Sequence, residues 1–323
     1  MTAVEATGRT RASGGHPAPG RRPTPPSLRR PLLNAGRRAE ALAGAILTLP
    51  AVVIFTIFMF IPLVLTLWYS LQRYSGFGSP EFLGLENYTD IFADPTFYRA
   101  LLNTVVFTAI SVPLGMALGL GAAVLLNRVM PGRALFRALI YLPVVVSGVA
   151  AGVIWLRLFD PLRGVLNQIA SSIGLPTVDW QSSPTAALFS VIVVTTWQGM
   201  GFGMVVYLAG LQGIPRELYE AAACDGATGF ASFRRITWPL LAPTTFFLLV
   251  YSIIVSFQVF DVVYILTRGG PADATTFLVQ YAYDQGFNQR RQGYAAAIGV
   301  IIYVIVLALT IVQWRLQRRR DDP

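Results

Sequence analysis

Long uncharged runs separated by short charged segments dominate this chain. Each of six runs contains at least 19 residues, and a helix needs about 20 residues to cross the hydrocarbon core of a bilayer. The runs cover residues 41–72, 100–127, 138–156, 180–215, 236–260 and 292–314. The pattern therefore predicts an all-α membrane protein with six transmembrane helices.

Two of these runs need adjustment at their ends. The fourth is longer than one span, so its polar start, Trp180–Pro184, is assigned to the preceding loop. The fifth is expected to continue as a helix through Asp261 to Leu266.

Residues 1–40 differ in composition from everything that follows. They contain eight arginines and six prolines and have little apolar surface to bury. Such segments gain too little from burial to offset the entropy lost on folding. The sequence therefore predicts a disordered tail over residues 1–40, a transmembrane domain over 41–318 and a short tail end over 319–323.

The arginines indicate the orientation of the helices, because basic residues are enriched in cytoplasmic loops. With the N-terminus inside, eighteen of the 25 arginines fall in cytoplasmic segments. They are Arg9, Arg11, Arg21, Arg22, Arg29, Arg30, Arg37, Arg38, Arg128, Arg133, Arg137, Arg216, Arg234, Arg235, Arg315, Arg318, Arg319 and Arg320. Both termini and the segment 215–243 are therefore predicted to face the cytoplasm.

Composition supports the membrane assignment and excludes several activities. Only 13% of the residues are charged, whereas soluble domains carry about 25%. All 25 basic residues are arginines, and the usual ATP-hydrolysing loop needs a lysine. One cysteine, Cys224, and one histidine, His16, exclude a disulfide or a Cys/His metal cluster within one chain. We expect no enzyme active site and no metal site, and we assign the net charge of +9 to membrane topology rather than to nucleic-acid binding.

The segment 215–243 has the character of a docking surface. Good helix-forming residues extend from Arg216 to Ala227, and a glycine break, a second amphipathic turn and a proline stop are predicted after them. Consecutive alanines let another backbone approach closely, and the carboxylates offer acceptors for arginines. The residues expected to form this surface are Glu217, Glu220, Ala221, Ala222, Asp225, Gly226, Ala227, Phe233, Ile236 and Pro239.

The order of these residues resembles the cytoplasmic EAA loop of permease subunits of binding-protein-dependent ABC importers. The matching residues are Glu220-Ala221-Ala222, Asp225-Gly226-Ala227, Phe233, Ile236 and Pro239, while Trp238 replaces the usual leucine. Residues 82–88, with Asp94-Pro95, Phe97 and Asn103-Thr104, are similar to the carbohydrate branch of that family, as is Leu266-Thr267-Arg268-Gly269-Gly270-Pro271. The resemblance covers about residues 45–315.

The resemblance implies a sugar permease in a bacterial cytoplasmic membrane. It implies a heterodimer with a second homologous permease, two copies of an ATPase that carries ATP and magnesium, and an external substrate-binding protein. The helix 216–227 would enter a groove of the ATPase, with Glu220 beside an arginine. Two alternatives remain open: an importer of a polyol or glycerol phosphate ester, and an ATP-independent secondary transporter or channel.

A sugar site needs flat aromatic faces and hydrogen-bonding side chains. Such residues near the middle of the spans are Trp197, Gln198, Tyr251, Ser252, Ser256 and Gln258. Asp261 is an acid in an apolar stretch; it either faces a polar pathway or pairs locally near Arg268.

Three Gly-x-x-x-Gly pairs indicate close helix packing, within this chain or against a second permease. They are Gly115/Gly119, Gly148/Gly152 and Gly199/Gly203.

Overall fold

The computed structural model describes the backbone of residues 30–321 and the side chains of residues 40–317. Most of this chain is helical. The helices are α1 (Arg30–Phe55), α2 (Ile61–Ser70), α3 (Glu86–Ala93), α4 (Pro95–Asn127), α5 (Arg133–Val145), α6 (Gly148–Leu158), α7 (Val165–Ser172), α8 (Pro184–Gln212), α9 (Arg216–Cys224), α10 (Gly229–Ser232), α11 (Trp238–Leu240), α12 (Ala242–Phe257), α13 (Asp261–Leu266), α14 (Leu278–Tyr283) and α15 (Gln292–Asp321).

Short π-helical turns and one small hairpin complete the secondary structure of the described residues. The π-helical turns cover Thr56–Phe60, Phe233–Thr237 and Asp284–Asn288. Strands β1 (Gln72–Arg73) and β2 (Glu81–Phe82) pair antiparallel, with Gln72 opposite Phe82 and Arg73 opposite Glu81.

The described chain falls into two units, one ending at Ile61 and one beginning at Pro62. In the first unit, α1 begins at Arg30, inside the stretch that the sequence predicts to be a disordered tail. Residues 1–29 of that predicted tail lie outside the described residues. At the other terminus, α15 extends to Asp321, so the predicted tail end over 319–323 begins as helix.

Four helices in the described chain are long and apolar enough to cross a membrane, and two bent pairs bring the number to six if each pair counts as one span. The continuous candidates are Glu40–Ser70, Pro95–Asn127, Pro184–Gln212 and Gln292–Gln317. The bent pairs are α5 with α6, at 102°, and Gly229–Leu240 with α12, at 64°. The third and fifth predicted spans are therefore broken rather than continuous.

The third predicted span breaks at Val146 and Ser147. Val146 has an extended backbone, and the Ser147 hydroxyl accepts a hydrogen bond from Ala150 N and starts α6. Irregular backbone at membrane depth needs partners for its freed polar groups. Gln198 of α8 supplies one, because its Nε2 donates to Val146 O at 3.1 Å.

The fifth predicted span also ends earlier than expected. Helix α12 stops at Phe257, and α13 starts separately at Asp261 after a break at Phe260, where φ is −142° and ψ is −57°. The prediction of one helix through Leu266 is therefore wrong. The separate helix α13 packs closely against α6: a Cβ at Gly148 would lie only 2.7 Å from the Asp261 Cβ.

The glycine pairs serve packing within this chain at two places. Gly148 and Gly152 of α6 contact α13, and a Cβ at Gly152 would lie 2.9 Å from the Ile265 Cβ. Gly119 of α4 lies against Gly203 of α8, since an added Cβ would come within 3.1 Å of the Gly203 carbonyl carbon. Close approach of this kind is what small residues allow between membrane helices.

The second unit has three buried apolar clusters among its described residues. The first contains Phe107, Val191, Val263 and Phe277; the second contains Phe97, Phe257, Tyr281 and Ile298; the third contains Leu126, Tyr207, Leu211 and Leu241. Helices α4, α8 and α12 contribute to more than one cluster and leave a cavity between them.

Candidate functional site

A cavity of about 490 Å³ lies between α4, α8 and α12 and reaches Gly148 of α6 and Asp261 of α13. Its volume is in the range of sites that bind small molecules. Six of the seven residues predicted for a substrate pathway line it: Gln198, Tyr251, Ser252, Ser256, Gln258 and Asp261. The lining as a whole comes from four separate stretches of sequence, 107–116, 144–148, 195–203 and 248–262.

Trp197 is the seventh predicted pathway residue, and the structure places it away from the cavity. Its ring packs edge-on against Trp155 with centroids 5.6 Å apart and belongs to the surroundings of the first apolar cluster. Because neighbouring residues on a helix point about 100° apart, Gln198 faces the cavity while Trp197 does not.

Aromatic faces and hydroxyl groups lie side by side on the cavity wall. The ring centroids of Phe202 and Tyr251 are 4.6 Å apart, and the Tyr251 side chain remains exposed. Ser256 Oγ lies 2.9 Å from Thr108 Oγ1 and also donates to Ile253 O. A wall of this kind offers apolar faces for C–H groups and oxygen atoms for hydroxyl groups.

Thr196 is a further polar group of the cavity wall that the sequence reasoning missed. It is 6% exposed, and its Oγ1 has no hydrogen-bond partner among the described residues. Other missed wall residues are Ser111, Thr195 and Phe202. The spacing of Thr195, Gln198 and Phe202 at three and four residues is the signal that could have indicated one shared helix face.

Asp261 is the only residue with a charged side chain among the described residues that line the cavity. It is exposed, and both ion pairs found among the described side chains involve Arg73 instead. Of the two alternatives for Asp261, the geometry favours a polar cavity over local pairing with Arg268. A carboxylate without a cation opposes the entry of anions.

The predicted docking helix is α9, and it ends at Cys224 rather than at Ala227. Gly226 adopts a left-handed conformation with φ of +77°. Gly226 N donates to Ala223 O at 3.0 Å, and Ala227 N donates to Ala222 O at 2.9 Å. These two bonds form a Schellman motif, which explains why a glycine stands at this position.

Most residues of the predicted docking surface are accessible. Glu217, Glu220, Ala221, Asp225 and Gly226 are exposed, and the three carboxylates form no ion pair with any described residue. Pro239 is exposed as well, whereas Ala222, Ala227, Phe233 and Ile236 are half-buried.

The predicted docking surface contacts the long helices on its inner side. The hydroxyl groups of Tyr219 and Thr237 lie 2.9 Å apart, and Ile236 packs against the third apolar cluster. Pro239 does not end the helix as predicted, since α11 continues to Leu240 and the bend follows there. The ring of Trp238 lies 6.4 Å from that of Phe233.

The first of the two segments that resemble the carbohydrate branch contacts residues just after the second. Asn103 Nδ2 donates to Asp273 O at 2.7 Å and to Thr276 O at 3.2 Å. Thr104 Oγ1 accepts a hydrogen bond from Leu278 N at 3.0 Å. The second span thereby positions the loop that follows α13.

Long apolar helices around a cavity, with an exposed acidic helix beside them, are the features expected of a membrane transport subunit. Residues 111–322 match the family described as "Binding-protein-dependent transport system inner membrane component", and the chain belongs to this family.

Relatives across almost the whole chain give the same result. The chain is 36% identical over 285 residues to the trehalose/maltose transport system permease protein of Thermococcus litoralis, covering 88% of this chain and 96% of that one. It is also 36% identical over 280 residues to the sn-glycerol-3-phosphate transport system permease protein of Agrobacterium fabrum, covering 85% and 94%.

Solved structures show the same fold. A chain of a bacterial ABC transporter involved in the import of the acidic polysaccharide alginate superimposes with a TM-score of 0.77 at 28% identity, covering 89% of this chain and 99% of that one. A chain of the alginate transporter in complex with an alginate pentasaccharide-bound periplasmic protein gives a TM-score of 0.78 at 26% identity, covering 91% and 99%.

Proposed function

We propose that this chain is the membrane-spanning subunit of an ATP-driven importer and forms half of the pathway for a mono-, di- or oligosaccharide. The observation that carries the proposal is the cavity wall, where Gln198, Ser252 and Ser256 stand beside the ring of Tyr251. Amide and hydroxyl groups next to aromatic faces suit a sugar. The trehalose/maltose relative supports this substrate class.

A second candidate is an importer of a polyol or a glycerol phosphate ester. The glycerol-phosphate relative favours this candidate. Recognition of a phosphate commonly uses arginines or lysines, and no arginine is among the described residues that line the cavity. The only charge there is the carboxylate of Asp261, so the wall suits an uncharged substrate better. Family membership leaves the ATP-independent transporter or channel without support.

The proposed topology has six spans with both termini in the cytoplasm of a bacterium. It counts each bent helix pair as one span. The distribution of arginines supports it, because eighteen of 25 then lie on the cytoplasmic side. Helix α9 follows α8 directly and is then cytoplasmic.

The proposed assembly adds a second homologous permease, two ATPase subunits and an external binding protein. ATP and magnesium would belong to the ATPase, and this chain would carry no cofactor. Helix α9 would dock on one ATPase, with Glu220 beside an arginine. Closure of the ATPase dimer would then move α9 as a rigid element and switch access to the cavity. The unpaired, exposed carboxylates of α9 support this role.

Substrate competition in reconstituted vesicles tests the proposed substrate class. The full complex would be purified through a tag on this chain and assayed for ATP-dependent uptake of a panel of labelled sugars. We expect neutral sugars to compete with uptake and glycerol 3-phosphate to have no effect at the same concentration. Competition by glycerol 3-phosphate alone would assign the second candidate instead.

A charge reversal tests the docking role of α9. Glu220→Lys is expected to abolish sugar-stimulated ATP hydrolysis, because two cations would then meet at the interface. Asp90→Lys is the matched control, since Asp90 is also an exposed helical acid but lies on α3. Normal stimulation in Glu220→Lys would contradict the docking role.

A further inference from the structure

Helix α7 lies between two membrane-length elements and has three different faces. One face contains Leu166 and Asn167 and packs inward, with Leu166 against the first apolar cluster. A second face carries the exposed polar residues Gln168 and Ser171. The third face is apolar and exposed, and the packing of the chain leaves it uncovered.

The exposed apolar face is a continuous row. Leu162, Val165, Ile169 and Ile173 are 90%, 48%, 54% and 66% exposed. At about 100° per residue Val165 and Ile169 lie on one side of α7; Ile173 follows them at the C-cap, and Leu162 lies in the turn before the helix. In addition, residues 164–178 contain no charged side chain, although a water-facing helix surface is normally rich in charges.

Asn167 holds this helix firmly in place. It is 5% exposed; its Nδ2 donates to Pro161 O at 3.1 Å and to Val178 O at 3.0 Å. Its Oδ1 accepts hydrogen bonds from Val178 N at 3.1 Å and Trp180 Nε1 at 3.2 Å. Each polar atom of the amide therefore has two partners, and the exposed row is a defined feature of the fold.

The position of α7 along the membrane follows from its neighbours. The cluster that receives Leu166 also receives Trp180 and Leu188, at the Pro184 end of α8. Next to it, a shallow apolar cavity of about 390 Å³ is lined by Val178, Trp180 and Phe189. The exposed ring of Phe189 belongs to the membrane-length helix, so the apolar surface of α8 continues onto the loop that carries α7.

We propose that α7 is an interfacial helix, whose row Leu162, Val165, Ile169 and Ile173 enters the lipid leaflet at the Pro184 end of α8. Amphipathic helices lie in the membrane plane with the apolar face buried about 5–10 Å into the boundary between headgroups and acyl chains. The partner of this surface is thus the acyl chains of phospholipids. Lipid is a better match than a docked protein, because the row continues the exposed apolar surface of the membrane-length helix α8 at Phe189.

The proposal can be tested with spin labels in the assembled complex. Cys224 is the only cysteine, so Cys224→Ser provides a background for single labels at Ile169→Cys and Ser171→Cys. The complex would be placed in nanodiscs of phosphatidylcholine and phosphatidylglycerol. Collision rates with oxygen, which concentrates in lipid, and with a water-soluble nickel chelate would then be measured.

We expect the oxygen-to-nickel ratio to be several-fold higher at residue 169 than at residue 171. Labels at Val165→Cys and Ile173→Cys are expected to follow residue 169, and a label at Gln168→Cys to follow residue 171. Strong nickel collisions at residue 169 would show that the row faces water and would overturn the proposal. Exclusion of both reagents from residue 169 would show a protein partner and would overturn it equally. The readout does not depend on sugar uptake, so it is independent of the proposed substrate.

Discussion

At the residue scale, Asp94 organises the start of α4. Its Oδ1 accepts a hydrogen bond from Thr96 N at 2.8 Å and caps the helix. Its Oδ2 accepts a hydrogen bond from the hydroxyl of Tyr281 and a longer one, at 3.4 Å, from Tyr294. One carboxylate thus connects the starts of α4 and α15 with α14. In addition, Arg291 stacks on the Tyr294 ring, with its Cζ 4.0 Å from the ring centroid.

These contacts predict how Asp94 affects stability. Burial raises the pKa of Asp94, but the hydrogen bonds from Tyr281 and Thr96 outweigh it and leave the pKa below 3.8. A lowered folded pKa means that the stabilisation is present above the unfolded pKa and is lost as pH falls through the folded value. Asp94→Asn should therefore lower the free energy of unfolding by about 1 kcal/mol at neutral pH.

Thermal unfolding in detergent at several pH values measures this effect. The difference between Asp94→Asn and the natural chain should shrink as the pH falls below 3.8. Asp90→Asn is a suitable control, because Asp90 is exposed and forms no ion pair with a described residue. An equal loss in both variants at neutral pH would show that the network of Asp94 has no special role.

Asp261 leads to a second prediction at this scale. Asp261→Ala removes the one charged side chain among the described residues of the cavity wall, and hydrogen bonds to charged groups contribute about 1.5–3 kcal/mol. Uptake should therefore fall about tenfold or more, while assembly with the other subunits stays intact. Asp261→Asn keeps a side chain of the same size against Gly148 and should retain part of the uptake activity. Unchanged uptake in Asp261→Ala would remove this residue from the pathway.

At the scale of elements, the sequence predicts the long apolar helices and the glycine that ends α9. It does not predict the breaks within the third and fifth spans. Gly226 indicates the end of α9 because a Schellman motif needs a left-handed residue, and its φ of +77° agrees. The break between α12 and α13 lies next to the contact of Asp261 with Gly148, two residues that are far apart in sequence and meet only in the fold. The break at Val146 is likewise stabilised by the distant Gln198. Hydrophobic runs do not carry such information.

The same reasoning applies to the cavity. Polar and aromatic residues near span centres were found from sequence, because they are unusual among lipid-facing side chains. The direction in which each side chain points could not be predicted: Trp197 packs against Trp155 instead of lining the cavity. Thr196 was not predicted, because threonines in an apolar run have no distinctive pattern; its unpartnered hydroxyl is evident only when α8 packs against its neighbours.

The crossing of α4 and α8 gives a prediction for helix packing. A Cβ at Gly119 would lie 3.1 Å from two backbone atoms of α8, whereas Gly121 has no neighbour within 4 Å. Gly119→Ala should cost about 1–3 kcal/mol through forced separation of the helices. Gly121→Ala should be neutral or slightly stabilising, since alanine favours helix by about 0.5–1 kcal/mol. Denaturation midpoints of the purified chain would compare the two, and equal midpoints would contradict close packing at Gly119.

At the scale of the whole molecule, the proposed function gives the chain a passage for substrate and a surface for the ATPase. It contains no group of His, Cys, Asp or Glu side chains suited to a metal in its described part, and its relatives are named as permease proteins. Under the proposed function, energy enters at α9 and substrate passes through the cavity between α4, α8 and α12. The cavity must then open alternately to the two sides of the membrane.

Alternating access predicts a change in the labelling of Ser252, which lines the cavity. In the Cys224→Ser background, Ser252→Cys can be exposed to a membrane-impermeant maleimide outside sealed vesicles that contain the full complex. Only complexes with the Pro184 end of α8 facing outward would be counted, after oriented capture. Trapping the ATPase with ATP and vanadate should raise the labelling rate several-fold, because the closed ATPase favours the outward-open state.

Ser79→Cys, on the exposed loop between β1 and β2, should label at the same rate with and without trapping. If the labelling rate of Ser252→Cys is the same with and without trapping while ATP hydrolysis is normal, the cavity is not coupled to the movement of α9.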